Sequence, residues 1–398
     1  MIESIRNKYN EAFTVKKYRE FLDELSNIHP GAIEFRVAET PVFVPSKFRQ
    51  MILDVCENIV DSIIDPKFKE LTAKAIPDNL KVPGENDYSH FIAFDFGVCR
   101  NDKGEIEPQL IEMQGFPSLF AYEILLDDVT RKHFDLPQGF SPYLSNLNRE
   151  AYISLLKEII THDTPSENVI LLEIFPEQQK TRIDFFATKD FTGLEVVCLT
   201  KLIKEGKNIY YQKDGRKIEI KRIYNRIIFD ELQQQSAEVQ EKGKILFEEL
   251  DVEWVPHPNW FYRISKYTMP FLRHPYIPET YFLNKINQLP SDLENYVLKP
   301  LFSFAGQGVV IDVTEEDIRK VDNPANWILQ RKVNYAEAIK TPDGTAKCEI
   351  RIFYFWKKGE SRPIPTNNLA RLSKGKMIGV RYNKDKEWVG GSYCLFEQ

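Results

Sequence analysis

The 398-residue sequence predicts a mixed α/β (α+β) protein built from three units. Three observations carry that prediction. Apolar residues in the first third recur at helical spacing. The middle third places two continuous apolar runs on either side of a helical stretch. The last third is dominated by short strand-like runs separated by glycine and proline. At roughly 100–200 residues per domain the length agrees. The composition shifts place boundaries near 165 and 260: an N-terminal helical region with a β-hairpin (1–165), a small α/β unit (166–260) and a strand-rich region (261–398).

Each element has its own warrant. In Ser46–Asp65 the residues Phe48, Met51, Ile52, Val55, Ile59 and Ile63 follow one helical face. Ser46 is placed to cap the start, and Pro66 follows the end. His90–Phe96 and Pro108–Gln114 flank the turn-forming Asn101-Asp102-Lys103-Gly104 and read as a β-hairpin. Ser145–His162 returns to helical spacing. Asn168–Phe175 is a continuous apolar run, the pattern of a strand buried on both faces. A helical stretch to Lys189, Gly193 and the run Leu194–Leu199 complete a strand–helix–strand order, which implies parallel strands. Lys213-Asp214-Gly215 turns a hairpin, and Phe229–Leu250 reads as mainly helical. Strands follow at Tyr296–Pro300, Val309–Val313, Trp327–Val333 and Cys348–Trp356. The last puts Ile350, Ile352, Tyr354 and Trp356 on one face, and Lys357-Lys358-Gly359-Glu360 closes a further hairpin.

Composition removes several function classes. Fifty-three basic and 59 acidic residues leave a net charge of −6, against the basic face a general nucleic-acid binder needs. A hydrophobic fraction of 42% is too high for a disordered chain. No stretch approaches the ~18 apolar residues of a membrane-spanning helix. The five cysteines are scattered without a CxxC pair, and no two of the six histidines lie three or four apart. Disulfide and zinc frameworks are therefore not expected. Charges from Glu3 onward leave no apolar signal core at the start, so the expected location is cytoplasmic.

Four stretches carry chemistry. In Tyr296–Ile311 a buried strand ends at Lys299-Pro300, and a loop with Ser303, Gly306 and Gly308 follows. Glycines let backbone N–H groups approach an anion, and the lysine adds a fixed charge. This is phosphate-binding chemistry without a Walker sequence. The plain alternative is a glycine-rich hairpin with a surface lysine. In Trp327–Val333 the strand runs into Gln330 and Arg331, which could face a flat base or simply end a core strand. The first hairpin carries Asp95 on one strand and Glu112 and Gln114 on the same face of the next. Three hard oxygen ligands suit magnesium. The alternative, a hairpin with solvated acids, sits poorly with the surrounding Phe, Ile, Leu and Met, because burying an unpaired carboxylate is costly. Finally, Arg351 and Arg371 lie on successive strands, where they could hold an anionic group or form cross-strand salt bridges.

The order and content of these stretches resemble the ATP-grasp superfamily, and more closely the synthetase domain of glutathionylspermidine synthetase. Asp95-Phe96 resembles the family's metal-motif D-F. Leu110-Ile111-Glu112-Met113-Gln114 with Pro117-Ser118 resembles its E-x-N segment. Ile223-Tyr224-Asn225-Arg226, Asn259-Trp260 and Ile264-Ser265-Lys266 are similar to further short segments. Tyr296–Pro300 resembles the phosphate-lysine strand, Ile328-Leu329-Gln330 the adenine-side strand, and Leu369-Ala370-Arg371 a late L-R element. The metal motif precedes the nucleotide lysines, which fits a permuted branch of the superfamily.

The resemblance implies an ATP-grasp-like fold in permuted order, with a pre-ATP-grasp-like α/β unit beside it. It implies ATP and Mg2+ as cofactors. Lys266 and Lys299 would contact the phosphates, Ser303, Gly306 and Gly308 would close over them, and Gln330 would border the adenine. Asp95, Glu112 and Gln114 would hold magnesium. Arg371 would stabilise an acyl-phosphate, with Arg351 grouped beside it as catalytic. The implied activity is an ATP-dependent carboxylate–amine ligase that releases ADP and phosphate. Its partners would be a small-molecule acid and an amine, with no nucleic acid and no membrane. The chain departs from the family at three places: Gln114 replaces asparagine, Ala93 replaces an arginine two residues before the aspartate, and Phe304 replaces a loop arginine. These departures leave two other readings open, a nucleotide-binding module with little or no ligase activity and a phosphotransferase of the same fold.

Overall fold

Antiparallel strands from opposite ends of the chain form the central sheet, in the order Gly390–Ser392, Ile364–Ser373, Gly344–Phe355, Phe91–Arg100, Ile106–Gln114. Ile339–Thr341 pairs off that path onto Gly344–Phe355. The computed structural model describes residues 1–302, 307–375, 378 and 383–398. The expected hairpin is present, and both of its strands are longer than the apolar runs that announced them.

Side-chain alternation divides this sheet's two faces. One face presents Phe94, Phe96, Ile350, Ile352 and Tyr354. It packs against Phe48, Ile52, Val55, Ile59 and Ile63 of the helix Ser46–Ile64. That helix is capped differently from the expectation. Pro45 is the N-cap residue, and the Ser46 N–H donates to the Glu397 carboxylate at 2.9 Å. The opposite face is split along its length. Phe91, Ala93, Phe353, Phe355 and Leu369 join an aromatic core with Phe120 and Tyr152. Beyond them, on the same face, come Asp95, Glu349, Arg351 and Arg371.

The middle of the chain forms a parallel sheet in the order Glu253–Val255, Arg222–Asn225, Val169–Glu173, Glu195–Cys198. Val169–Glu173 is buried along its whole length, as its apolar run implies. The helix Arg182–Thr192 between the two expected strands ends at Gly193, whose φ of +77° suits a residue without a Cβ. The segment Phe229–Leu250 is not one helix. It breaks into Phe229–Gln233, Ala237–Gly243 and a 3-10 turn Lys244–Phe247, because the Ser236 side chain accepts from the Val239 N–H and starts a new helix.

A third sheet runs antiparallel in the order Thr280–Phe282, Trp327–Arg331, Tyr296–Pro300, Val310–Ile311. Among the described residues no helix is long and apolar enough to cross a membrane.

Candidate functional site

The polar half of the central sheet is assembled by strand register. Asp95 lies directly opposite Glu112 on one side and Arg351 on the other, and Glu349 lies opposite Arg371. Asp95 is fully buried, and both its oxygens are engaged. The Arg351 guanidinium donates from Nε at 2.5 Å and from Nη2 at 2.6 Å, and Arg371 Nη2 adds a third contact at 3.1 Å. This is the bidentate geometry that makes arginine–carboxylate pairs strong. Arg371 also pairs with Glu349 at 3.0 Å, and the Tyr335 hydroxyl donates to the same carboxylate.

Lys299 enters from the third sheet. It is 9% exposed and donates to Gln330 Oε1 at 2.5 Å and to the Ile111 carbonyl at 3.2 Å, on the strand that carries Glu112. Gln330 shares a face with Lys299 because Val297, two residues before the lysine, is its register partner. Lys266 approaches Glu112 at 3.6 Å from the segment after the helix Asn259–Arg263. That helix is itself anchored. Asn259 bonds the backbone of Val82 and the Glu85 carboxylate, Trp260 Nε1 donates to Asn86, and Arg263 pairs with Glu85 at 2.7 Å. Its join to the hairpin is tight. The Gly115 N–H donates to the Ile264 carbonyl at 2.8 Å, and a Cβ on Gly115 would lie 2.3 Å from the Trp260 carbonyl.

The electrostatics follow from this crowding. Burial opposes ionisation of Glu112, but Lys266, Lys299, Arg351 and Arg371 outweigh it and bring its carboxyl down to about 2. Burial lowers Lys299 to about 8, with Glu112 opposing and Lys266 adding to the depression. Burial raises Glu349, partly offset by Arg371, and raises the Tyr335 hydroxyl, with Glu349 adding to it. Four cations therefore face three carboxylates. Two buried nitrogens in the cluster, Gln330 Nε2 and Arg371 Nε, have no partner among the described residues. Buried donors are normally bonded, so both are open to a ligand acceptor.

The structure thus brings Asp95, Glu112, Gln114, Lys266, Lys299, Gln330, Arg351 and Arg371 together. Gly308 lies at φ +72° against Pro300, beside the end of the Lys299 strand. Ser303, Phe304 and Gly306 lie outside the described residues. Glu349 and Tyr335 were missed. The alternation Glu349-Ile350-Arg351 places the glutamate on the arginine's face and was the signal available for it.

The donor set expected for magnesium does not fit that ion. Asp95 is closed off by two guanidinium groups. Gln114 turns its Nε2 to Glu112 at 3.0 Å and toward Asp95 at 3.5 Å. Among the described residues, no group of three His, Cys, Asp or Glu side chains is arranged to hold a metal. Magnesium asks for near-octahedral oxygen ligands, and here the carboxylates face cations instead.

A second cluster of buried polar side chains lies at the carboxyl ends of the parallel strands Val169–Glu173 and Arg222–Asn225. The sheet order reverses between these two strands, and open α/β sheets bind ligands at such a point. Arg226 donates from Nη1 to the Pro117 carbonyl at 2.7 Å and lies over the Phe116 ring. Burial raises Glu173 to about 8, opposed by the Ile174 N–H and by Arg226. Among the described residues, Asn225 Nδ2 and Arg226 Nε are buried without partners. The loop after the Glu112 strand therefore touches both places. Asp184 holds its far end by accepting from the N–H groups of Leu119, Ala121 and Tyr122.

No family model and no curated protein matches this chain. Among solved structures it is similar to a glutathione synthetase-like effector, GSS30, from Globodera pallida, determined in the apo form. The identity is 10%, the TM-score is 0.58, and the match covers 97% of this chain and 98% of that one. The chain therefore shares the fold of that effector over nearly its whole length.

Proposed function

We propose that the protein is an ATP-dependent carboxylate–amine ligase of the permuted ATP-grasp type. The observation that carries this reading is the convergence of Lys266, Lys299, Arg351 and Arg371 on one sheet face, with unpartnered donors on Gln330 and Arg371 beside them. The fold it shares with a glutathione synthetase-like effector supports the same reading.

In the first step a substrate carboxylate oxygen attacks the γ-phosphorus of ATP. The bond to the β-bridging oxygen breaks and ADP leaves, giving an acyl-phosphate. In the second step an amine nitrogen attacks the acyl carbon, phosphate departs and the ammonium proton passes to solvent. Little covalent chemistry is asked of the protein, because phosphoryl transfer is chiefly positioning and neutralisation of charge. Lys266 and Lys299 supply the neutralisation along the phosphates. Arg371, with an Nε still open, stabilises the transferring group. Gln330 borders the base. The polar cluster at Asn225 and Arg226 seats the acid, since both side chains keep an unused donor there. No step runs through a metal.

The test is ADP release from ATP by the full chain against a panel of small acids and amines. The ligase reading expects release only when both co-substrates are present. Nucleotide binding without turnover across the panel would replace it with a binding module. That second reading draws on the engagement of Asp95 by Arg351, which removes one expected metal ligand.

A further inference from the structure

The same cluster supports an inference that rests on the nucleotide reading above and goes past it. Its three carboxylates are all committed to positive or hydrogen-donating side chains. Asp95 is gripped by Arg351 and Arg371, Glu349 by Arg371 and Tyr335, and Glu112 by Lys266 and Gln114. A divalent ion at Asp95 would have to displace the Arg351 and Arg371 guanidinium groups that already hold both its oxygens. The cations also point to the opposite kind of guest. They exceed the carboxylates in number, and the buried Gln330 Nε2 and Arg371 Nε are donors without acceptors. Gln330 is 3% exposed, so water from bulk does not easily serve it. A nucleotide, with acceptor nitrogens on its base and acceptor oxygens on its polyphosphate, satisfies both needs at once.

We propose that this cluster binds a nucleotide polyphosphate directly, without a divalent metal ion, and that the Arg351–Asp95–Arg371 ion cluster supplies the charge that the metal would otherwise bring. Guanidinium groups do this well, because their planar forks match phosphate and carboxylate oxygens and they stay charged when buried.

The experiment is calorimetric titration of the full chain with ATP, once in excess EDTA and once in excess magnesium, with tripolyphosphate and adenosine as separate probes. The expected result is an ATP dissociation constant in EDTA within about fivefold of that in magnesium, with tripolyphosphate also binding in EDTA. A weakening in EDTA beyond that factor overturns the proposal and leaves the nucleotide reading standing. Absence of ATP binding in both arms defeats both. Arg351→Gln adds a readout that a merely structural arginine would not move. Freeing the Oδ1 oxygen of Asp95 to accept a metal should raise the EDTA-to-magnesium ratio by about tenfold, while Arg351→Lys keeps it near one. An unchanged ratio in a folded Arg351→Gln protein would remove Arg351 from the proposal. Should that variant fail to fold, the parent titration alone decides.

Discussion

Replacing Lys299 by Met separates nucleotide affinity from stability. Methionine keeps the length and apolar stem of the side chain and removes the ammonium. In the structure that ammonium donates to Gln330 Oε1 at 2.5 Å and the Ile111 carbonyl at 3.2 Å, and it is one of four cations that hold Glu112 ionised. Its loss from a nucleotide complex removes a charge-assisted contact of about 1.5–3 kcal/mol. That corresponds to roughly 10- to 150-fold in the dissociation constant. The folded chain should lose less. Burial already disfavours the charged form of Lys299, pulling it down to about 8, and Glu112 retains Lys266. A cost below about 2 kcal/mol is expected, since one hydrogen-bonded group is removed while the remaining charge keeps a partner. Calorimetry with ATP and a urea midpoint on the same preparation measure both quantities. The depressed lysine adds a sign. Its charge in the free protein is lost as pH rises through about 8, so ATP binding near that pH should take up a proton, visible as a buffer-dependent enthalpy. ATP affinity within twofold of the parent in a folded Lys299→Met protein would refute the phosphate role of this lysine.

Three further outcomes are expected. Arg351→Ala leaves the fully buried Asp95 with Arg371 as its remaining ion-pair partner and should destabilise the chain by about 3–5 kcal/mol, read from denaturant unfolding; a loss under 1 kcal/mol would mean the pair is dispensable. His90 is buried, and among the described residues neither ring nitrogen has a partner. Burial, followed by Arg222, Lys358 and His257, lowers it to about 3 from 6.5. Its folded value lies below its unfolded one, so the stability it contributes is present above pH 6.5 and is lost as pH falls toward 3. The loss is about 2 kcal/mol by pH 5, and His90→Gln should flatten that part of the stability–pH curve, with His257 retaining its own share in the same direction. Gly115→Ala brings a Cβ to 2.3 Å from the Trp260 carbonyl and should cost about 1–3 kcal/mol; a thermally unchanged variant would show that the Glu112 strand and the Asn259–Arg263 helix can part without penalty.

The hairpin, the parallel unit and the long strand ending at Phe355 were legible because each buries a face, and burial imposes a period on the residues that make it. The break at Ser236 was not legible, because a continuous helical pattern says nothing of a serine that restarts the helix. The site was legible as residue types and illegible as partners. Asp95 and Glu112 were read as metal ligands since their apolar neighbours implied burial, and burial of acids demands a compensating charge. Which charge compensates depends on a strand 256 residues further along the chain. Local periodicity cannot register two strands at that separation, so an arginine and a metal ion were equivalent answers on sequence alone.

The arginine at 351 also changes the meaning of Ala93. The resemblance places an arginine two residues before the aspartate and finds alanine there, which counts as a lost anion contact. In the sheet, Ala93 is fully buried opposite Phe353 and lies in the cluster of Phe91, Phe120 and Phe353. A guanidinium rising from that position would displace this aromatic packing. Arg351 reaches the Asp95 carboxylate from the adjacent strand, directly across the register, without entering the aromatic core. The cation at the aspartate thus comes from the neighbouring strand. That placement lets the aromatic core extend up to the edge of the site and keeps a cation at the aspartate. Four cations face three carboxylates with alanine at position 93.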